Sequence, residues 1–224
     1  MVELFHIYLY EPILWVFVFI YKNLAFRDIG FSIFLLTVFV RVVLFPIFYK
    51  SAKDQSLMQR IQPKLKKIQE DHKDNKEEQA KQMMNLYKEN KLNPFSGFLL
   101  LLIQLPVFIA LFQIFTKELS TPTFDNQLFL GLINLGEKSI VIAIIAAGLQ
   151  YLQSKLLLPP SQKDKKEDEN QMARVGKTMT IVGPILTFFI LMNLPSALGF
   201  YWSVSSIFSI VQQLYINKKI PKEL

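Results

Sequence analysis

Arg41 stands inside the run Ile29–Tyr49, IGFSIFLLTVFVRVVLFPIFY, which holds no other charge. At about 1.5 Å per residue it lies roughly 18 Å into a hydrocarbon layer about 30 Å thick. An arginine at that depth costs about 2.5–3.5 kcal/mol on insertion scales. The long apolar runs contain no Asp or Glu that could pair with it. Its expected chemistry is therefore that of an unpaired positive charge facing water inside a membrane. The bland alternative is an arginine snorkelling to the headgroups. Two further apolar turns after Arg41 count against it.

Neutral polar side chains accompany this charge. Gln104 falls in the second apolar run and Gln150 and Gln153 in the third. Thr178, Thr180 and Thr187 fall in the fourth, and Ser203, Ser205, Ser206, Gln212 and Gln213 in the last. Pro46, Pro106, Gly183-Pro184 and Pro195 are helix breakers among them. Taken singly, such residues are interhelical glue worth about 0.6 kcal/mol each. Together with Arg41, some can line a wet groove. Tyr201 and Trp202 read as interface anchors, or as a grip on a passing helix.

Enzyme chemistry finds little support. The only histidines are His6 and His72, and cysteine is absent. There is no HExxH and no Gly-x-Ser-x-Gly. The lack of intramembrane carboxylates disfavours an aspartyl protease and a proton-coupled transporter. No catalytic residue, metal site or cofactor is expected. The net charge of +7 could point to nucleic acid, but the placement of the charges points to membrane topology.

These residues need an all-α frame of five transmembrane helices. The expected order is an N-terminal interfacial helix and lead-in (1–28), a first span (29–52), a cytosolic helical hairpin (53–93) and a second span (94–116). An outer loop (117–137), third span (138–158), cytosolic loop (159–175), fourth span (176–193), fifth span (194–216) and short basic tail (217–224) follow. Lys and Arg sort across this frame: ten in 53–93, five in 159–177 and three in 217–224, against Lys22, Arg27, Lys117 and Lys138 opposite. The positive-inside rule then gives an N-out, C-in protein. In Leu4–Tyr21, His6, Glu11 and Pro12 leave only ten unbroken apolar residues, which favours an interfacial helix over a sixth span.

The hairpin pattern is one-sided on both arms: Leu57, Ile61, Leu65 and Ile68, then Ala80, Met83, Met84 and Tyr87. Asn75 with Glu78 predicts a capping box. Lys66/Glu70 and Glu77/Lys81 predict i,i+4 ion pairs. Pro63 predicts a kink or restart of the first arm. The hairpin and the charged loop Pro159–Glu169 are expected to be the most mobile parts.

Three blocks then resemble the YidC/Oxa/Alb family of membrane protein insertases, in the family order and over nearly the whole chain. They are TVFVRVVLFPIFYKSAKDQSLMQRIQPKLKKIQEDHKD, QAKQMMNLYKENKLNPFSGFLLLLIQLPVFIALFQIF and LPSALGFYWSVSSIFSIVQQLYINKK. The resemblance implies a hydrophilic groove open to the cytosol and the lipid, and closed outside. In it, Arg41 takes the groove arginine's place, Gln104 sits in LLIQLP, and Trp202 belongs to the aromatic pair with Tyr201 that touches substrate helices. Gln150, Gln153 and Ser203 are further groove candidates. The family usually carries a proline near Leu100, where this chain reads Gly-Phe-Leu-Leu. The implied partners are nascent membrane proteins and the bilayer. Ribosome, signal recognition receptor and Sec translocon are implied through the hairpin and loops, without nucleic-acid specificity. A bacterial plasma membrane is the implied site. The rival readings are an assembly chaperone without translocation and a small solute transporter.

Overall fold

The computed structural model describes residues 2–93, 95–156 and 171–219. It is helical almost throughout. At the N terminus α1 (Val2–Phe5), a π-helical turn (His6–Tyr10) and α2 (Glu11–Asn23) follow without a break. The π-turn explains why Pro12 does not end the helix. Glu11 N donates to His6 O, and this wider turn relieves the clash a proline imposes on the preceding turn. The ten-residue limit read from the sequence is corrected accordingly: Glu3–Asn23 is one helix of 21 residues. Among the described residues it is the single helix long and apolar enough to cross a membrane, with a bent pair as a second candidate. One face buries Tyr10, Phe17, Ile20 and Tyr21, while Ile7, Tyr8, Trp15 and Phe19 lie exposed.

The bent pair is α3 (Ile29–Val43) and α4 (Phe45–Asp71), which meet at Leu44 with a bend of 74°. Asp28 caps α3, its Oδ1 accepting from Phe31 N at 2.7 Å. Pro46 stands in the first turn of α4, where its missing N–H costs nothing. The helix expected to run unbroken from residue 29 to 52 is therefore interrupted at Leu44. The two apolar turns beyond Arg41 leave in another direction.

Helix α4 continues through Pro63 to the turn before α5 (Lys76–Glu89). Asn75 caps α5, its Oδ1 accepting from Glu78 N at 3.1 Å. The reciprocal half of the capping box is replaced: Gln82 Nε2 donates to Glu78 Oε1 at 2.7 Å, and Lys81 pairs with Glu78 at 3.7 Å rather than with Glu77. No Lys66–Glu70 pair forms. The arms bury Ile61, Leu65, Leu86 and Leu92, with Leu57, Ile68, Met83 and Tyr87 packed around them. The inward stripe of α5 thus runs through Leu86, and Ala80 and Met84 face outward.

Beyond the hairpin come α6 (Ser96–Gln113), a π-turn (Ile114–Glu118), α7 (Ile140–Leu156), α8 (Gln171–Leu191) and α9 (Ser196–Lys219). Residues 117–137 carry a short antiparallel pair, β1 (Leu128–Phe129) with β2 (Ile133–Asn134), that the sequence pattern did not announce. The main core gathers at this loop end: Phe17, Tyr21, Ile29, Ile33, Leu111, Phe115, Phe124, Leu135 and Leu198. The expected loop 159–169, the last five residues and Pro94 lie outside the described residues.

Candidate functional site

Arg41 enters the site from the last turn of α3, just before the bend, and points into the bundle at 9% exposure. Its Nη2 donates to Ser205 O at 2.7 Å and to Ser209 Oγ at 2.9 Å, and also to Ser205 Oγ. The guanidinium carbon lies 4.1 Å from the centre of the Phe48 ring, a cation–π contact across the bend. No carboxylate partners it. Nη1 is buried and makes no hydrogen bond to protein. The side chain is thus held by one carbonyl, two hydroxyls and a ring, with part of its donor capacity left over. The side chain is buried inside the bundle and does not extend along its surface.

Around it lies a cavity of about 10 Å³ lined by Thr37, Val40, Arg41, Leu44, Phe48, Gln104, Val107 and Tyr201. That narrow cleft has room for about one water. Its polar wall is one network. The Tyr201 hydroxyl lies near the side chains of Gln104 and Ser205, and Ser205 in turn accepts from Arg41. Thr37 contributes little, because its hydroxyl is spent on Ile33 O at 2.6 Å.

Arg41, Gln104 and Tyr201 therefore come together. The other candidates do not line this cavity. Trp202 turns away and packs edge-on against Phe108 at 5.4 Å between ring centres. Ser203 Oγ donates to Gly199 O of its own helix at 2.8 Å. Gln150 faces Gly183 of α8, with its Oε1 buried and unpartnered. Gln153 is half-buried on α7. Sequence reasoning missed Ser209 and Phe48 as partners of Arg41. Ser205 and Ser209 share a face of α9 at i,i+4, which was a usable signal. Phe48 follows the bend at Leu44, where helical spacing no longer tells which residues face one another.

The hairpin base is tied to the same helices. Ser56 Oγ donates to Asn217 Oδ1 at 2.8 Å and Arg60 Nη2 to Asn217 O at 3.2 Å, both on α9. Gln59 Nε2 donates to Leu156 O at 3.1 Å. These ties, with the arms' own apolar cluster, argue against a freely mobile hairpin. Nearby, Asp54 is buried with Oδ2 unpartnered. Burial pushes its carboxyl above the usual range, while a hydrogen bond with Ser96 and the charges of Lys50 and Lys53 pull the other way. Among the described residues no group of three His, Asp or Glu could hold a metal.

Comparison with known sequences bears on this arrangement. Residues 19–223 match the family model described as 60Kd inner membrane protein. A protein of Clostridium perfringens, named membrane protein insertase YidC, is 36% identical over 198 residues, covering 86% of this chain and 81% of its own length. The proteins of the same name in Ectopseudomonas mendocina and Geobacter metallireducens are 32% and 33% identical, covering 95% and 94% of this chain. The chain spans 34% and 37% of those two proteins' own length.

Proposed function

The chain belongs to the 60Kd inner membrane protein family, the YidC-type proteins, and from that membership and the Arg41 site we propose that it is a membrane protein insertase. It is not an enzyme: it moves short polar segments of nascent membrane proteins from the cytosol toward the far side and releases their apolar helices into lipid. The membrane is the bacterial inner membrane, crossed by five spans with the N terminus out, and the Glu3–Asn23 helix, which exposes Glu3 and Glu11, lies along the outer surface. The cytosolic hairpin is the meeting place for ribosome, signal recognition receptor or Sec translocon.

The observation that carries this reading is Arg41: buried, without an anion, with a free N–H edge beside Gln104 and Tyr201. A polar tail entering hydrocarbon loses several kcal/mol for each uncompensated polar group. A cavity walled by a guanidinium, an amide and a phenol offers those groups partners part of the way across. The cation also draws acidic residues by a field that low dielectric strengthens. The narrowness of the cleft means that a tail opens it by parting α3 and α4 from α6 and α9. The bend at Leu44 is the natural joint for that movement. Burial of about 20 apolar residues of the substrate supplies the driving force, without nucleotide hydrolysis.

The test is insertion of a one-span substrate whose translocated tail differs only in acid count, in Arg41→Ala and Arg41→Lys proteins with melting curves alongside. In Arg41→Ala, insertion of acidic tails falls by about tenfold, ~1.4 kcal/mol, and neutral tails are spared. Arg41→Lys falls between, because an ammonium keeps the charge but cannot span Ser205 and Ser209 as a planar fork does. Equal loss across the series with lowered melting would make Arg41 a structural residue and favour an assembly chaperone without translocation.

A further inference from the structure

Leu130 and Leu132, at the tip of the β1–β2 hairpin, are 69% and 83% exposed, and Phe26, in the α2–α3 connection, is 92% exposed. We propose that these three side chains form an anchor embedded in the hydrocarbon of the outer membrane leaflet, so that the loop end is clamped to lipid and not merely bathed in water. The proposal rests on the membrane-spanning reading above.

The two pieces are one construction. Asp28 Oδ2 accepts from Leu130 N at 2.6 Å, and Asp28 is two residues from Phe26. Phe129 is fixed beneath, packing on Gly30, where a Cβ would meet its ring at 2.2 Å, and against Phe200 at 4.8 Å. With Phe129 packed beneath, alternation turns Leu128 outward, and Leu130 stands exposed in the turn that follows. The backbone is also held in costly conformations. Phe26, Arg27 and Leu130 have φ of 52°, 58° and 52°. A non-glycine residue there costs of order 1–3 kcal/mol. A strained segment presenting its largest apolar side chains to water would be unfavourable twice over, whereas hydrocarbon cover removes the second cost.

Lipid is the occupant that the surroundings fit. The exposed stripe of α1 and α2 carries Leu4, Ile7 and Tyr8, then the single acid Glu11, then the stacked pair Trp15 and Phe19, 5.8 Å apart. It runs into Leu24 and Phe26, beside the exposed cations Lys22 and Arg27. Aromatic and aliphatic side chains edged by cations are the composition of a surface seated at a headgroup boundary. The anchor therefore extends a lipid-facing surface; it is not an isolated patch awaiting a protein.

The chain has no cysteine, so single nitroxide labels report without background. Labels are placed at Leu132→Cys, at Ile144→Cys on the exposed face of α7, and at the exposed loop residue Thr123→Cys. Collision with oxygen, which concentrates in lipid, is compared with collision with a water-soluble nickel chelate in vesicles of phosphatidylethanolamine and phosphatidylglycerol. The oxygen-to-nickel ratio at Leu132 is expected to match that at Ile144 and to exceed that at Thr123 several-fold. A Leu132 ratio equal to that at Thr123, with Ile144 still oxygen-rich, overturns the anchor and leaves the spans standing. Shielding of Leu132 from both agents overturns it in favour of a covering protein. Nickel access at Ile144 overturns the spanning reading and the anchor with it.

Discussion

Tyr21, Asp125 and Arg27 at the loop end form a closed set: the Tyr21 hydroxyl donates to Asp125 Oδ1 at 2.7 Å, and Arg27 Nη1 reaches Asp125 Oδ2 at 2.9 Å. Tyr10 donates to Glu118 at 2.9 Å, and the α9 backbone is stitched to the loop through Ser196 N–Glu137 O and Ala197 N–Leu135 O, at 2.7 and 2.9 Å. Toward the hairpin end the pattern reverses. Arg41, Asp54, Arg60, Gln150 and Gln212 each keep a buried side-chain atom without a partner; at the loop end Gln113 is the exception. Unmet buried polar groups cost about 1–3 kcal/mol each. Among the described residues, the loop-end half thus has all its buried polar side chains but Gln113 satisfied and its apolar core filled. The other holds polar capacity in reserve. The proposed passage, closed on one side and receptive on the other, needs such an asymmetry.

The largest effect is expected from breaking the closed half. Asp28 serves two donors at once, Phe31 N and Leu130 N. Asp28→Ala removes the α3 cap and frees the β-hairpin, at a cost of about 2–3 kcal/mol. In detergent the melting temperature should fall by about 4–10 °C. Asp28→Asn keeps one acceptor and should recover part of the loss. An unchanged melting temperature in Asp28→Ala would mean that the loop end is not the stabilising half.

A smaller effect, of opposite sign, is expected in the receptive half. Burial holds the Asp54 carboxyl above its ordinary range. The folded protein therefore binds that proton more tightly than the unfolded chain does. The group's contribution is most favourable below the ordinary value of about 3.9 and is lost as pH rises through the folded value. Asp54→Asn, which removes the buried charge but keeps an acceptor for Ser96, should melt higher than the parent at pH 7. The difference should vanish as pH falls to about 4. A variant that melts lower at pH 7 would show that Lys50 and Lys53 outweigh burial.

How far the sequence carried this contrast depends on the kind of signal. Arg41 was legible because a lone charge in an apolar run admits few explanations. The Asn75 cap was legible because its cause is local. The bend at Leu44 was not, since Pro46 suits a first helical turn as well as a kink, and only the packing of α4 chooses. The unbroken helix through Pro12 needed a π-turn that no residue type specifies. On α5, Met83 and Met84 are equally apolar, and it is Leu86 against Ile61 and Leu65 that decides which faces inward. Which glutamine shares a cavity with Arg41 is tertiary information: Gln104 does, while Gln150 sits against α8.

The smallest effect should come from the tip of the hairpin, and it separates local order from the contrast between the ends. Asn75→Ala removes the cap on Glu78 N, worth about 1 kcal/mol of α5. Protection of the first α5 amides against hydrogen exchange should fall about fivefold, while amides of α3 and α9 stay unchanged. Glu78 adds a pH signature. The hydrogen bond from Gln82, then the charge of Lys81, hold its carboxylate below the usual range. Its contribution is present above the ordinary carboxylate value and fades as pH falls through the lowered one. Glu78→Gln should therefore weaken α5 protection at pH 7 by less than Asn75→Ala does, and not at all in acid. The arms are joined to the bundle at Ser56, Gln59 and Arg60, well below this tip. Loss of α9 protection in Asn75→Ala would show that the tip is coupled through Asn217 to the helix that holds Arg41.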